Sequence, residues 1–405
     1  MDVVILGIFV LVYAGMILGE FPGLALDRSG IALLGAIAVL ASGRLTLDQA
    51  WAAVDVNTVA LLFGLMVVSA QFRLGGFYTE TVRHITGRNA TPDALLLWII
   101  LAAGALSSLL ANDIVCLAMA PMLIDACTRQ RLNPLPFLLA LACASNVGSA
   151  ATLIGNPQNM LIGESLRLSF AGYLLDGVPP ALLGLFVTWL IISRQWRGRW
   201  GAAGELAAGD GTARPYDRWQ TSKGTVLLVL ILTAFLFTPW SRAVVALTAA
   251  GVLLLSRRLA SREMIGLVDW HLLVLFIGLF VINHAVERSG LLELMFNQLA
   301  SAGIDLSRSA WLFVATPVLS NLVSNVPAVM LLLPVATGPH AGALLALTST
   351  LAGNLLIVGS IANIIVVEEA GRRGVEIDWR AHARTGIPVT LATLAIAAVW
   401  LWVRA

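Results

Sequence analysis

Two stretches of this 405-residue chain carry the side chains best suited to holding a small solute, and both lie in otherwise apolar sequence. The first runs Ser107-Ser108-Leu109-Leu110-Ala111-Asn112-Asp113 to Pro121, then Ser145-Asn146-Val147-Gly148-Ser149 to Ile154-Gly155-Asn156-Pro157-Gln158-Asn159. The second runs Ser320-Asn321-Leu322-Val323-Ser324-Asn325-Val326-Pro327 to Pro334, then Thr348-Ser349-Thr350 to Gly353-Asn354 and Val358-Gly359-Ser360-Ile361-Ala362-Asn363. Gly, Asn and Pro interrupt helices, and each interruption exposes N–H groups at the start of one half-helix and carbonyls at the end of another. The N-terminal ends favour anionic groups, while carbonyls with Ser, Thr and Asn oxygens can hold Na+. Asn112, Ser145, Asn146, Asn156 and Asn159 are expected to form one half-site; Ser324, Asn325, Thr348, Asn354, Ser360 and Asn363 form the other. Asp113 is the one carboxylate expected at such an interruption, placed to bind a coupling cation or carry a proton. A coupling Na+ would sit near Asp113, Asn112 and Asn325, and no resident cofactor or metal cluster is expected. The competing explanation is that these small polar residues only pack and cap helices. Packing residues, however, need not recur at matching places in two halves. Val326 stands where the first stretch has Asp113, so the two half-sites are not chemically equivalent.

The elements that must hold these residues are membrane helices. Hydrophobic residues make up 59% of the chain, charged residues 12%, and the mean hydropathy is +0.88, whereas an ordinary soluble domain carries roughly 25% charge. The expected class is an all-α polytopic membrane protein. Its net charge of +2 says nothing of partners, because the charges fall in loops; no nucleic-acid partner is expected. Candidate spans are 3–19, 28–43, 56–73, 135–163, 174–193, 223–239, 241–256, 270–287, 340–367 and 386–403. The first begins without a basic leader or small-residue cleavage site and is expected to be retained. Stretches 95–128 and 308–337 are interrupted at Asn112-Asp113 and Asn325-Val326-Pro327, and each half looks too short to cross at 1.5 Å per residue. Both are expected to be re-entrant hairpins. Spans 135–163 and 340–367 are expected to be unwound at their Gly/Asn/Pro centres.

A polar segment, 194–222, divides the chain into a first repeat (1–193) and a second (223–405), each with five spans and one hairpin. An odd number of crossings requires the second to be inserted upside down. Residues 28–76 align without a gap to 242–290, with 15 identities in 49 that include Arg28/Arg242, Arg44/Arg258, Asp55/Asp269, Gly64/Gly278 and Gly76/Gly290. Asn112 matches Asn325, Pro121 matches Pro334, Gly155 matches Gly359 and Asn159 matches Asn363. With the linker 194–222 in the cytoplasm, 19 basic residues fall inside and 6 outside, as the positive-inside rule asks of a bacterial inner-membrane protein.

Other candidates have simpler readings. Asp55 and Asp269 stand at matched span starts, where N-capping suffices. His284 and Glu287, one turn apart, are interfacial residues or a proton path, and Asp125 and the Glu368-Glu369 pair lie near the cytoplasmic face. Cys116, Cys127 and Cys143, an odd count within apolar helices, are small buried hydrophobes or soft ligands for a thiophilic substrate.

At Leu110-Ala111-Asn112-Asp113, Ala151-Thr152-Leu153-Ile154-Gly155-Asn156-Pro157-Gln158-Asn159, Ser324-Asn325-Val326-Pro327 and Val358-Gly359-Ser360-Ile361-Ala362-Asn363 the chain resembles the ion transporter superfamily. That superfamily holds the ArsB arsenite permeases, the NhaD-type Na+/H+ antiporters, and the citrate and divalent-anion symporters. The resemblance covers nearly the whole chain. It implies a scaffold that often dimerises and a mobile domain of hairpins and broken helices that slides across the membrane like an elevator. The divalent-anion carriers show Ser-Asn-Thr at both tips; this chain has Ala111-Asn112-Asp113 and Ser324-Asn325-Val326. The expected function is secondary transport of a small anion or oxyacid, arsenite-like, inorganic or carboxylate, driven by H+ or Na+; the alternative is an NhaD-type Na+/H+ antiporter. No protease or hydrolase motif argues for an enzyme. Inequivalent tips favour alternating access over a channel, and a primary pump would need an external ATPase partner, since the chain has no phosphate-binding loop.

Overall fold

The computed structural model describes residues 2–19, 23–87, 90–201 and 215–404. Residues 202–214 of the expected linker, and with them Arg214, lie outside the described residues, as does Arg88. The described residues form twenty α-helices. The first ten are α1 (Val3–Leu18), α2 (Arg28–Ala41), α3 (Leu47–Ala53), α4 (Val56–Leu74), α5 (Phe77–Thr86), α6 (Pro92–Leu109), α7 (Asn112–Arg129), α8 (Leu135–Ser149), α9 (Pro157–Ser165) and α10 (Phe170–Trp196). The second ten are α11 (Arg218–Phe237), α12 (Arg242–Leu254), α13 (Ser261–Ile265), α14 (Trp270–Arg288), α15 (Leu291–Ser301), α16 (Ser309–Val323), α17 (Asn325–Leu332), α18 (Ala341–Ala352), α19 (Ile361–Gly371) and α20 (Trp379–Arg404). The two sets correspond in order, with α3, α5 and α10 matching α13, α15 and α20, although α7 has 18 residues and α17 only 8. Six helices are long and apolar enough to cross a membrane: α4, α6, α10, α11, α14 and α20.

Three of the aligned identities have direct physical causes. Asp55 caps α4, accepting from the N–H groups of Asn57 (3.0 Å) and Thr58 (3.2 Å), and Asp269 caps α14 through the N–H of Leu272 (3.0 Å). Gly76 and Gly290 open α5 and α15 at φ 68° and 70°, left-handed backbone that favours glycine. Gly64 lets α4 approach α12: a Cβ there would lie 2.7 Å from the Ala246 backbone. Gly278 does the same for α14 on α2, 2.7 Å from the Ala32 backbone. Gly64/Gly278 and Ala32/Ala246 are aligned pairs, so the two crossings are matched across the halves.

Packing sorts the helices into two groups. Helices α1 to α4 pack with α11 to α14, through the α4–α12 and α2–α14 crossings. The other group joins α6–α8, α16–α18, α10–α20 and α7–α19, with α8 and α18 at its centre. Every residue of α18 and all but the first of α8 are buried. Helix α5 bridges the groups, touching α4, α6 and α7.

Several boundaries differ from the sequence expectation. Helices α6 and α7 run 18 residues each, and at 1.5 Å per residue α6 is about 27 Å long. Helix α6 is therefore long enough to cross, because it begins at Pro92, after Thr91, and ends only at Leu109. The polar segment 194–222 is helical at both ends, in α10 and α11. Four short helices, α3, α5, α13 and α15, escaped a reading based on long apolar runs. Helix α5 shows why: Tyr78, Val82 and Ile85 face inward while Glu80, Arg83 and His84 lower its average hydropathy.

The matched crossings make a direct test. Gly64→Val and Gly278→Val should each lower the thermal unfolding midpoint of detergent-purified protein, at an overpacking cost of about 1–3 kcal/mol. Gly251→Ala, where a Cβ on α12 meets nothing within 4 Å, should not lower it.

Candidate functional site

Between α8 and α9, and again between α18 and α19, the backbone leaves the α-helical path inside the protein. Carbonyls stranded there need donors, since an unmatched polar group at such depth costs several kcal/mol. Asn159 supplies them in the first half: its Nδ2 donates to Ser149 O (3.4 Å) and Thr152 O (3.0 Å), ten and seven residues back. Asn363 does the same in the second, donating to Gly353 O (2.7 Å) and Leu356 O (3.1 Å), again ten and seven residues back. Each asparagine's oxygen is then taken by the opposite half. Thr350 Oγ1 donates to Asn159 Oδ1 (3.1 Å), and Asn146 Nδ2 donates to Asn363 Oδ1 (3.1 Å). Thr350 precedes Asn363 by the same interval as Asn146 precedes Asn159.

The correspondence extends outward. Tyr173 OH donates to Ala150 O (2.9 Å), and His382 Nε2 lies 3.0 Å from Asn354 O, the equivalent carbonyl. One turn further on, Gly177 and Gly386 let α10 and α20 press against these same carbonyls; a Cβ at Gly177 would sit 2.8 Å from Ala150 O.

The other expected residues join this network in different ways. Asn146 Oδ1 accepts from Ser360 Oγ (2.8 Å) and Asn112 Nδ2 (3.4 Å), and its Nδ2 also donates to Asn354 Oδ1 (2.8 Å). Asn156 caps α9 through the N–H of Asn159 (2.9 Å) and reaches Thr350 Oγ1 (3.2 Å) across the halves. Ser145 Oγ lies 3.0 Å from Ser107 Oγ and donates to Asn112 O (3.3 Å). Asn325, in the orientation that gives both ends a partner, donates to Ser349 O and Gly359 O (3.1 Å each) and accepts from Gln158 Nε2 (3.3 Å). Thr348 stands apart, since its hydroxyl donates to Leu344 O within its own helix (2.7 Å). Thr350, Gln158, Ser149 and Thr152 stand in the stretches quoted from sequence but are not among the site residues expected there, and neither are Tyr173 and His382. The interval pairing Asn159 with Asn363 would have found Thr350, because it carries Asn146 onto Thr350.

The N-terminal ends of four helices meet at one point. Asn112 and Asp113 of α7, Pro157 and Gln158 of α9, Asn325 and Val326 of α17 with Ser324 before it, and Ile361 of α19 with Ser360 line a gap of about 20 Å³. Helices α7, α17 and α19 have no side-chain cap, and the first N–H of α7, that of Asn112, donates instead to Gly155 O (3.2 Å). Ser324 holds the second tip at φ 76°, ψ 161°, a conformation almost restricted to glycine. Asn112 Oδ1 is buried with no hydrogen-bond partner. Asp113 also lines a second cavity of about 260 Å³, bounded by Leu62, Leu65 and Met66 of α4, Ile365 of α19, and Gly266, Leu267 and Asp269 beside α14. The lining of this vestibule reaches Arg73, two residues before Gly75, whose carbonyl accepts from Asp217 N (3.0 Å), so it extends from Asp113 toward the linker side. On the opposite side a smaller cavity, about 130 Å³, contains Asn283, His284, Glu287 and Met330 but neither tip.

Among the remaining candidates, the three cysteines are free and buried. Glu369 is buried between Arg372 (2.6 Å) and Arg373 (2.8 Å), while Glu368 is exposed. No cluster of three or more His, Cys, Asp or Glu able to hold a metal occurs among the described residues.

Two predictions follow from the network. Asn159→Ala and Asn363→Ala should each lower the unfolding midpoint by the equivalent of about 1–3 kcal/mol, the cost of stranding buried carbonyls, whereas Thr348→Val should change it little. Ser324→Gly should raise the midpoint, since the strain removed is about 1–3 kcal/mol. Differential scanning fluorimetry on the purified protein measures both.

Comparison with known proteins agrees with this architecture. The citrate transporter (CitMHS) family profile matches residues 9–352. An uncharacterized transporter of Mycobacterium tuberculosis is 31% identical, the alignment covering 93% of this chain and 94% of that one. The silicon efflux transporter LSI3 of Oryza sativa is 29% identical over 93% of this chain and 92% of its own. The crystal structure of the Alcanivorax borkumensis YdaH transporter superposes with a TM-score of 0.60 at 16% identity, covering 99% of this chain and 98% of that one. With most of its length matched by that profile, the chain belongs to the citrate transporter family of membrane transporters.

Proposed function

We propose that this transporter moves a small anion or a neutral oxyacid, coupled to H+ or Na+, through the gap where the two tips meet. The observation that carries the reading is the convergence of four helix N-termini around a single carboxylate, Asp113. Helix N-termini attract oxyanions and polarised oxygens. An ionised Asp113 offsets that attraction, so an anion enters best when Asp113 is protonated or holds a cation, which is a physical basis for coupling. Asn112 Oδ1, lacking a partner, and Asp113 beside it supply two oxygens for Na+, with Asn325 across the gap. The gap's small volume favours a compact solute over a tricarboxylate, and a rice relative is named for silicon efflux, silicon being carried in water as a neutral oxyacid.

The same proposal takes 1–193 and 223–405 as inverted repeats, the tips of α6–α7 and α16–α17 as re-entrant hairpins, and the linker as cytoplasmic in a bacterial inner membrane. The ten-for-ten helix order and the crossed bonds of Asn159 and Asn363 support the repeats. Among the described residues, ion pairs between helices join residues assigned to one side, as in Arg44 with Asp2 (3.1 Å), Arg242 with Glu164 (2.7 Å), Arg404 with Asp176 (3.0 Å) and Arg258 with Asp217 (3.8 Å). The two packing groups are the expected scaffold and moving domain of an elevator.

A thermal-shift screen of purified protein against arsenite, antimonite, silicic acid, sulfate, phosphate and citrate, with and without Na+, tests the reading. A ligand at 100 times its Kd stabilises the native state by about 2.7 kcal/mol. A shift with one anion or oxyacid class, abolished in Asp113→Asn and Asn325→Ala, is expected. A shift with Na+ alone, dependent on Asp113 and indifferent to every anion, would replace it with cation/proton exchange.

A further inference from the structure

On the side away from the linker, Arg242 at the start of α12 clamps the end of α9. Its Nε lies 2.7 Å from Glu164 Oε1, and its Nη2 donates to Gly163 O (2.7 Å). Both side chains are largely withdrawn from solvent, at 14% and 11% exposure. The bridge joins the two packing groups, since α12 belongs with α4 and α9 with α18. It sits where the groups are in contact, for α9 also packs on α4.

The chain contains a second copy of this pair. The gap-free alignment of the halves carries Arg242 onto Arg28, and the interval that carries Asn159 onto Asn363 carries Glu164 onto Glu368. Arg28 opens α2 and Glu368 ends α19, both on the linker side. There no ion pair joins the two. Glu368 is exposed, and Arg28 Nε is buried without a hydrogen-bond partner. An unmatched guanidinium N–H is costly to bury, and the fork geometry of arginine suits a carboxylate. The vestibule is lined by Ile365, three residues before Glu368 on α19, and by Leu272 of α14, the helix that packs on α2.

We infer that Arg28 and Glu368 are positioning residues for transport, forming the mirror-image bridge when the vestibule closes. Each end state is then held by one Arg–Glu bridge between the packing groups: Arg242–Glu164 while the linker side is open, Arg28–Glu368 while the far side is open. The inference rests on the alternating-access reading above but not on the identity of the solute.

Cross-linking tests it without a substrate. In a background of Cys116→Ala, Cys127→Ala and Cys143→Ala, the pairs Arg242→Cys/Glu164→Cys and Arg28→Cys/Glu368→Cys are treated with a short bis-maleimide in nanodiscs. Both pairs join the two halves of the chain, so cutting a protease site inserted within 202–214 leaves one band only if the cross-link has formed. The far-side pair should link readily and shows that the background folds. The linker-side pair should link more slowly, and its yield should rise several-fold when Glu164→Gln releases the opposite bridge. No link at Arg28→Cys/Glu368→Cys, or a yield indifferent to Glu164→Gln, overturns the inference. A link that responds to Glu164→Gln, in a protein that no anion or oxyacid stabilises, leaves the inference standing and removes the substrate reading.

Discussion

Two lengths of non-helical backbone must be kept satisfied where water cannot reach, and the rest of the molecule is built around that constraint. Asn159 and Asn363 each cover two carbonyls of their own broken segment. Neither arrangement is complete within its own half, because each amide oxygen is occupied by a donor from the other. A half-satisfied polar network in a low dielectric is worse than none. The centre of the protein is therefore stable only when both halves are present, which accounts for α8 and α18 being buried almost throughout. The bulky alternatives are also excluded, since Gly177 and Gly386 bring α10 and α20 against the same carbonyls.

On this matched framework the departures from equivalence stand out. Asp113 faces Val326, and the first tip turns through Leu110-Ala111 while the second turns through the strained Ser324. The framework supplies rigidity and a shared pattern of donors, while the unequal tips supply a charge that only one half carries. A helix N-terminus acts as roughly half a positive charge, so one carboxylate among several termini can set the sign of the local field by gaining or losing a proton or a cation. A second carboxylate in place of Val326 would hold the field negative.

Much of this was legible in the sequence, and the failures share a cause. Asn112, Asn146, Asn156, Asn159, Asn325, Asn354, Ser360 and Asn363 stand out as amides and hydroxyls in apolar surroundings, and the structure gathers them into one buried network or its edge. Asp55 and Asp269 read as caps because capping needs only local sequence. Thr350 was passed over for Thr348 because two threonines on one helix look alike until the turn they face is known, and two residues rotate the side chain to the opposite face. Gln158, Tyr173 and His382 partner groups remote in sequence, which residue type alone does not disclose. Helices α5 and α15 are amphipathic and short, so a search for long apolar runs cannot see them, and α6 and α7, at 18 residues each, exceed what the position of Asn112-Asp113 suggests.

A transporter that alternates between two open states gains nothing from a strong bond present in only one. Moving a two-state equilibrium from 1:99 to 99:1 takes about 5.5 kcal/mol, and breaking a buried charge pair by removing a partner costs about 3–5 kcal/mol. On the alternating-access proposal, the Arg242–Glu164 bridge, largely withdrawn from solvent, favours the state in which it forms unless an equivalent bond answers it in the other. Two features of the chain limit the imbalance. The bridge retains some solvent contact, which lets water take over each charge as the groups part, and an equivalent Arg and Glu stand on the other side. If the bridges exchange, the free energy lost at one is returned at the other, and the small difference left is within reach of what a bound solute and its coupling ion can supply. The repeat that completes the hydrogen bonds at the centre would in that case also balance the two end states at the periphery.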